Sequence, residues 1–228
     1  MDSVPELLLI DKPKGITSFD VIRRLRRQIG IKKIGHAGTL DPLATGLMIL
    51  GVGPGTKRLT GLIKLDKEYI AEVLIGERRT TGDMEGDVME EKAVTETVEI
   101  LQNKISIALE DLIGDITLPV SAYSAIKVDG VPMYKRARKA EKEGEIVTEV
   151  PVRTMKLYEA ELFKVEITPD RAVATVRFFV GSGTYIRSLA EELGKIVGYP
   201  ATLRNLRRIK VGEFGIEMAQ QIEDVEIK

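Results

Sequence analysis

One short segment of this chain combines residue types that could do chemistry. Residues 32–45 read KKIGHAGTLDPLAT and contain the only histidine of the chain, His36, followed five positions later by a carboxylate, Asp41. The glycines on either side of His36 allow close backbone approach or a positive φ, and Pro42 fixes the turn after Asp41. Two interpretations stay open. The loop could hydrogen-bond to itself, which the Asp-Pro spacing alone favours, or it could leave room for a substrate beside the carboxylate.

Three further side chains join this candidate set: Tyr69, Tyr185 and Arg187. Lys14 and the basic runs are supporting candidates. An arginine beside a carboxylate keeps the carboxylate ionised and oriented, as a nucleophile must be. A tyrosine offers a stacking plane and a weak acid or base. We find neither a P-loop nor a dinucleotide fingerprint, and no second carboxylate pairs convincingly with Asp41. These residues alone suggest an enzyme with one catalytic carboxylate that acts on a nucleic acid.

Composition limits the class of protein. A chain of 228 residues with 43% hydrophobic and 30% charged residues is typical of a soluble globular protein of one large or two small domains. Without cysteine and with one histidine, the chain cannot build the zinc site of the base deaminases. The N-terminal residues MDSVPELLLIDK are typical of neither a signal peptide nor a membrane span. We therefore expect a cytoplasmic protein.

The net charge of −1 hides local asymmetry. Residues 23–33 hold six positive charges and residues 204–210 hold four, whereas residues 83–91 are acidic. Such segregation permits a basic face for a polyanion on a protein that is neutral overall. Charge runs alone are more typical of solvated helix faces, so both interpretations stay open.

Apolar spacing predicts one α+β domain with a mixed, largely antiparallel sheet and flanking helices. One helix begins at a capping box of Thr17 and Asp20 and ends at Gly30, and another begins at Thr184. Asp129 and Gly130 indicate a hairpin turn. The other predicted elements are strands at 6–10, 47–52, 67–76, 156–167 and 171–180, and helices at 56–63, 95–112 and 134–143.

Five runs, in order, resemble a known family: LLLIDKPKGITSFDVIRRLRR, KKIGHAGTLDPLATGLMILGVGPGTK, KEYIAEVLIG, YSAIKVDGVPMYKRAR and GSGTYIRSLAEELG. From about residue 7 to about residue 210, the chain resembles the bacterial tRNA pseudouridine-55 synthases of the TruB type. The resemblance implies a pseudouridine synthase fold with a central catalytic cleft. It also implies an isomerase that turns one uridine of the tRNA T-arm loop into pseudouridine on a flipped-out base, without metal or organic cofactor.

The resemblance also assigns roles to residues. Asp41 would be the nucleophile, attacking either the ribose C1′ or the uracil ring, and Arg187 would pair with it. Tyr69 would stack on the target base and take part in proton removal at C5. The remaining substrate-binding residues would be His36, Tyr185, Leu206 and Lys14. Contacts to the RNA backbone would come from Arg23, Arg24, Arg27, Lys32, Lys33, Arg204, Arg207 and Arg208.

Residues 1–228 are expected to form a single catalytic domain that acts as a monomer on tRNA. Many members of the family continue into a C-terminal RNA-binding domain, and none is evident in this sequence. A different class of function is a tRNA-binding or tRNA-folding module in which catalysis is secondary or lost. A third interpretation keeps the chemistry but changes the substrate, as in relatives that work on guide-RNA complexes.

Overall fold

The computed structural model describes residues 4–124, 126–145, 147 and 149–226. The helices are α1 (Ser18–Ile29), α2 (Leu59–Leu62), α3 (Val98–Asp111), α4 (Met133–Lys142) and α5 (Ile186–Val197). The strands are β1 (Leu7–Lys12), β2 (Ile34–His36), β3 (Thr45–Val52), β4 (Lys67–Ile75), β5 (Glu77–Arg79), β6 (Val88–Glu91), β7 (Gly114–Pro119), β8 (Lys127–Val128), β9 (Val131–Pro132), β10 (Val152–Ile167), β11 (Ala172–Val180), β12 (Ala201–Val211) and β13 (Phe214–Gly215). Short 3-10 helices follow β3 and β13.

The chain divides into two compact units. Unit 1 comprises Met1–Ile70, Phe179–Ser182 and Asn205–Lys228, and unit 2 comprises Ala71–Phe178 and Gly183–Arg204. The strands β4, β11 and β12 contribute residues to both units.

The sheet of unit 1 is mixed. Strand β1 pairs antiparallel with β3, from Leu7 opposite Gly51 to Lys12 opposite Gly46. Strand β2 also pairs antiparallel with β3, whereas β12 runs parallel to β3. Because successive side chains of a strand point to opposite faces, every second residue of β1 is buried.

Helix α1 forms as the sequence predicts. The side chain of Thr17 accepts a hydrogen bond from the backbone of Asp20, and the carboxylate of Asp20 accepts one from the backbone of Thr17. Gly30 ends the helix with a φ of 70°. The buried face consists of Val21, Ile22, Leu25 and Ile29, with Ser18 at its start.

In unit 2 the strand order is β4, β11, β10, β7, and β10 pairs antiparallel with β7. Helix α3 packs against β10 through a buried side that includes Leu101, Ile105 and Leu109. The predicted hairpin turn is present between β8 and β9, where Asp129 and Gly130 both have positive φ. The prediction of an α+β fold with a mixed sheet and flanking helices is confirmed.

Three local predictions were wrong or incomplete. Strands β7 and β12 were not predicted, because the alternation of apolar and polar residues is short in β7 and is interrupted by consecutive polar residues in β12. Helix α5 begins at Ile186 rather than at Thr184, with Tyr185 as its N-cap. Ile196, expected on the buried side of that helix, is 43% exposed, and Val197 is buried instead. Within the part of the chain that the structure describes, no helix is long and apolar enough to cross a membrane.

Candidate active site

The turn that carries Asp41 is held on both sides. On its N-terminal side, the backbone N–H of Leu40 donates to the Ser18 hydroxyl at 2.8 Å, and that hydroxyl lies 2.9 Å from the Leu40 carbonyl. On its C-terminal side, the Pro42 carbonyl accepts the Gly15 N–H at 2.8 Å. Ser18 therefore holds Leu40, and the backbone N–H of Gly15 holds Pro42. We call these contacts the Asp41 clamp. Because the residues before and after Asp41 are held, the backbone position of Asp41 is set by the fold.

Lys12 completes the Asp41 clamp. The side chain is fully buried, and its Nζ donates to the carbonyls of Pro13 at 2.9 Å, Ile16 at 2.7 Å and Pro42 at 3.4 Å. A lysine is almost never buried unless its charge has partners, and here the carbonyls supply them. Lys12 was not predicted from the sequence. The lysine predicted to bind substrate was Lys14, which is exposed and donates to Asn205 at 2.6 Å.

A signal for Lys12 was present in the sequence. Leu8, Ile10 and Lys12 alternate along β1, and all three are buried on one face. Extending the apolar face of the strand by one step would have placed the lysine inside the protein.

Arg208 lies beneath the loop that precedes Asp41. It is 1% exposed, its Nε donates to the Leu47 carbonyl at 2.7 Å, and a terminal nitrogen donates to the Gly38 carbonyl at 3.2 Å. The parallel register places Arg208 opposite Gly46, where a Cβ would collide with the backbone of Arg208. The expectation that Arg208 contacts RNA phosphates was wrong, because its guanidinium is buried and used to hold the loop.

His36 ends β2 and is half-buried. Burial lowers the pKa of its imidazole, the nearby Arg208 charge lowers it further, and the backbone of Gly38 acts in the opposite direction. The imidazole is therefore neutral at pH 7. Its buried Nδ1 finds no hydrogen-bond partner among the described residues.

Strand β4 places Lys67 and Tyr69 on the same buried face, at 6% and 7% exposure. The Nζ of Lys67 donates to the carbonyls of Ile63 at 2.7 Å and Leu65 at 2.5 Å and lies 3.5 Å from the Ser182 hydroxyl. Burial and then the charge of Arg208 lower the pKa of Lys67 to about 8, while Asp66 opposes the shift. Lys67 was not predicted, and it fixes the start of the strand that carries Tyr69.

In unit 2, Arg187 lies in the first turn of α5 and is 5% exposed. One terminal nitrogen donates to the Thr81 carbonyl at 3.0 Å and to the Ser121 hydroxyl at 2.9 Å, and it lies 3.7 Å from a carboxylate oxygen of Asp83. The pairing of Arg187 with Asp41 stays a prediction. Asp83 is a partner that the sequence analysis missed.

The loop around Asp83 is organised by that carboxylate. One oxygen accepts from the Thr81 hydroxyl at 2.5 Å and from the Glu85 N–H at 3.1 Å. Glu191 lies one turn along α5 from Arg187. Burial raises the pKa of Glu191, the charges of Arg78 and Arg187 oppose this shift, and the charge of Asp83 adds to it. The side chain of Arg187 is thus oriented by a network within its own unit.

The remaining predicted residues are those assigned to the nucleotide site and those assigned to the RNA backbone. Leu206 is buried at 8% exposure, and Tyr185 is half-buried, with its N–H 3.5 Å from the sulfur of Met155. Arg207 binds both carboxylate oxygens of Asp11, and Arg204 lies 3.8 Å from Glu72. The exposed basic residues are Arg23, Arg24, Arg27, Lys32 and Lys33. Within the described ranges, no group of three His, Cys, Asp or Glu side chains is placed to hold a metal ion.

Known proteins are similar to this chain in sequence and in fold. A family model described as TruB family pseudouridylate synthase (N terminal domain) matches residues 26–186. The tRNA pseudouridine synthase B of Leifsonia xyli subsp. xyli is 40% identical over 220 residues, which are 96% of this chain and 71% of that protein. The protein of the same name from Cupriavidus taiwanensis is also 40% identical over 220 residues, covering 96% of this chain and 67% of that protein.

Among solved structures, a chain of an H/ACA RNP bound to a substrate RNA containing 2′-deoxyuridine matches with a TM-score of 0.65 and 25% identity. The match covers 96% of this chain and 51% of that chain, so the present chain spans about half of its length. These matches confirm the predicted pseudouridine synthase fold. The chain belongs to the TruB family of pseudouridylate synthases.

Proposed function

We propose that this protein isomerises a uridine of tRNA to pseudouridine and that the target is position 55 in the T-arm loop. The observation that carries the proposal is the Asp41 clamp, which fixes one carboxylate in the turn of a chain that belongs to the TruB family. The relatives at 40% identity that are tRNA pseudouridine synthases B support tRNA as the substrate.

The reaction needs few protein groups. The bond between uracil N1 and ribose C1′ breaks, a bond between C5 and C1′ forms, the proton on C5 is lost, and N1 gains a proton. We assign Asp41 as the nucleophile, with attack at C1′ or at the uracil ring as the two routes. A stacked base hides both positions, so the nucleotide is flipped out at a cost of about a few kcal/mol.

Several of the predicted side chains have the chemistry to hold an extruded base. Tyr69 presents a ring fixed on β4, and stacking of a base on an aromatic ring returns about 1 to 3 kcal/mol. Arg187 is held in place by its own unit and carries the charge proposed to pair with Asp41. His36, Tyr185, Leu206 and Lys14 are proposed to line the nucleotide site.

The direct test is to map the product. Wild-type protein is incubated with an unmodified tRNA transcript, and pseudouridine is scored at each uridine, while a transcript with cytidine at position 55 serves as the control. We expect conversion at position 55 in the first transcript and none in the second. Conversion elsewhere would refute the assigned position. Tight binding without conversion would favour the tRNA-binding or tRNA-folding module.

Exposed cations of α1 and the segment after it are proposed to bind RNA phosphates. Each phosphate contact releases counterions, so affinity falls as salt rises. We expect that the double variant Arg24→Glu with Arg27→Glu weakens tRNA binding and flattens the slope of log affinity against log salt by about 2. The matched control is Lys139→Glu with Lys142→Glu on α4, which should leave the slope near the wild-type value. An unchanged slope for the α1 variant would remove this helix from the RNA footprint.

We further propose that the protein acts in the cytoplasm as a monomer and that residues 1–228 form a single catalytic domain. Light scattering of the chain alone and with equimolar tRNA tests the stoichiometry. A mass of one chain, and of one chain with one tRNA, is expected. A mass of two chains would contradict the monomer.

A further inference from the structure

The ring of Phe19 is an unusual surface feature of α1. The chain has five phenylalanines, and Phe19 and Phe163 are the ones whose side chains are exposed, at 58% and 52%. Single exposed apolar residues are common and need no explanation by themselves. Phe19 differs because the guanidinium carbon of Arg26 lies over its ring, 5.7 Å from the centroid.

Arg26 is itself anchored, since a terminal nitrogen donates to the Ile34 carbonyl at 3.2 Å. A cation over one face of an exposed aromatic ring stabilises that arrangement by about 0.5 to 1 kcal/mol. Phe19 is 58% exposed, which leaves aromatic surface open to a second planar group. The Arg26 contact therefore favours one orientation of an aromatic plane at the surface.

The position of Phe19 relates it to the candidate active site. Phe19 directly follows Ser18, whose hydroxyl is bonded to Leu40, and Leu40 directly precedes Asp41. Summing these bond lengths, the Cα atoms of Phe19 and Asp41 lie within about 15 Å of one another. This upper bound is compatible with a nucleotide next to the target reaching the Phe19 ring.

Charge around the ring favours a polyanion. Arg23, Arg24 and Arg27 are exposed on the same helix. The carboxylate of the next residue, Asp20, is used in the capping box of α1 and in an ion pair with Arg23. A nucleotide on the ring would meet cations that can hold its phosphates, and little uncompensated negative charge.

We propose that Phe19 is a stacking platform for a base of the tRNA substrate other than the target uridine. The proposal rests on the proposed function for its substrate. Unstacked bases in RNA loops stack on aromatic side chains because every base has a π-face, and the cation behind the ring strengthens the contact. The platform would hold a nucleotide near the target while the target is extruded.

Tryptophan substitution tests the contact directly. The chain contains no tryptophan, so Phe19→Trp creates a single indole whose fluorescence reports on its own surroundings. We expect unmodified tRNA transcript to quench this fluorescence, with a midpoint equal to the dissociation constant from filter binding. The matched control is Phe163→Trp, at a similarly exposed position on β10. Glu159, Glu161 and Glu166 lie nearby in sequence, and their negative charge disfavours RNA. The control signal should not change.

Affinity gives a second readout. Base stacking on an aromatic ring predicts that Phe19→Ala weakens tRNA binding about 5- to 150-fold, that Phe19→Trp retains affinity, and that Phe163→Ala has no effect. The salt slope of Phe19→Ala should equal that of wild type, because no charge is removed. Unchanged Phe19→Trp fluorescence on a bound tRNA, or wild-type affinity of Phe19→Ala, would overturn the platform.

The two failures can be told apart. If Phe19→Trp converts uridine normally without a fluorescence change, the platform fails and the proposed function stands. If wild type binds tRNA and quenching occurs without any pseudouridine, the proposed catalytic function fails and the platform stands. Thermal denaturation of Phe19→Ala checks that the helix is intact, and the Phe19→Trp result does not depend on that variant.

Discussion

The two units hold their charged residues by different means. In unit 1, the buried cations Lys12 and Arg208 donate to backbone carbonyls, among them Pro42 after Asp41 and Gly38 before it. In unit 2, the buried cation Arg187 faces the carboxylate of Asp83 as well as a carbonyl and a hydroxyl. Unit 1 thus uses cations to fix a backbone that carries a carboxylate, whereas unit 2 uses a carboxylate to fix a cation. Removal of a single partner should therefore have different consequences in the two units.

The largest effect is expected in unit 2. Asp83→Asn removes a buried carboxylate charge 3.7 Å from the guanidinium of Arg187, and breaking a buried ion pair from one side costs about 3 to 5 kcal/mol. We expect the free energy of unfolding, measured by urea denaturation, to fall by that amount. Asp87→Asn, in the same loop but exposed, is the control and should change it by less than about 0.5 kcal/mol. Equal losses for the two variants would show that the Asp83 charge does not hold Arg187.

A smaller effect is expected for Lys12→Met in unit 1. The change removes the Lys12 donor from the partly buried carbonyls of Pro13 and Ile16, at up to about 1 to 3 kcal/mol, but it also removes the cost of burying a charge. We expect a loss of stability below that of Asp83→Asn. The clamp predicts that kcat for pseudouridine formation falls more than tRNA affinity, because the Asp41 turn loosens.

Lys14→Met is the control for stability, since Lys14 is exposed and only two residues away. It should change the free energy of unfolding by less than about 0.5 kcal/mol. A Lys12→Met protein with the kcat of wild type would contradict the role assigned to the clamp.

The contribution of Lys67 to stability should depend on pH, because the cost of burying its charge is present in full below about pH 8 and is relieved as the pH rises. Its folded pKa of about 8 lies below the value of an unfolded lysine, so between these two values the unfolded chain binds more protons. The contribution of Lys67 to stability therefore rises from about pH 8 and levels off near pH 10.5, by up to about 3 kcal/mol. Urea denaturation of wild type and Lys67→Met across this range isolates the contribution. A constant difference between the two proteins would show that Lys67 has an ordinary pKa.

Sequence patterns predicted the elements that local chemistry determines. The capping box at Thr17 and Asp20, the stop at Gly30 and the hairpin at Asp129 are set by residues only a few positions apart, and all three are present. The burial alternation of β4, which places Tyr69 inside, was predicted for the same reason.

Features that depend on distant partners were missed. Arg208 and Lys12 were classed by their charge as surface residues or overlooked, because the carbonyls that accept from them come from loops up to about 170 positions away. Strand β12 was hidden in a basic run, and a sequence alone does not tell a solvated arginine from one that holds a loop. Asp83 was missed because its partner Arg187 lies in another element of the chain.

The most direct test of the central claim is a single-turnover comparison of wild type with Asp41→Asn. Enzyme is in excess over unmodified tRNA at a concentration where both proteins bind it fully, and pseudouridine is measured over time. Because Asn has nearly the same shape but is a far weaker nucleophile, we predict equal binding and a rate at least about a thousand-fold lower. A rate within about tenfold of wild type would contradict the assignment of Asp41 as the nucleophile.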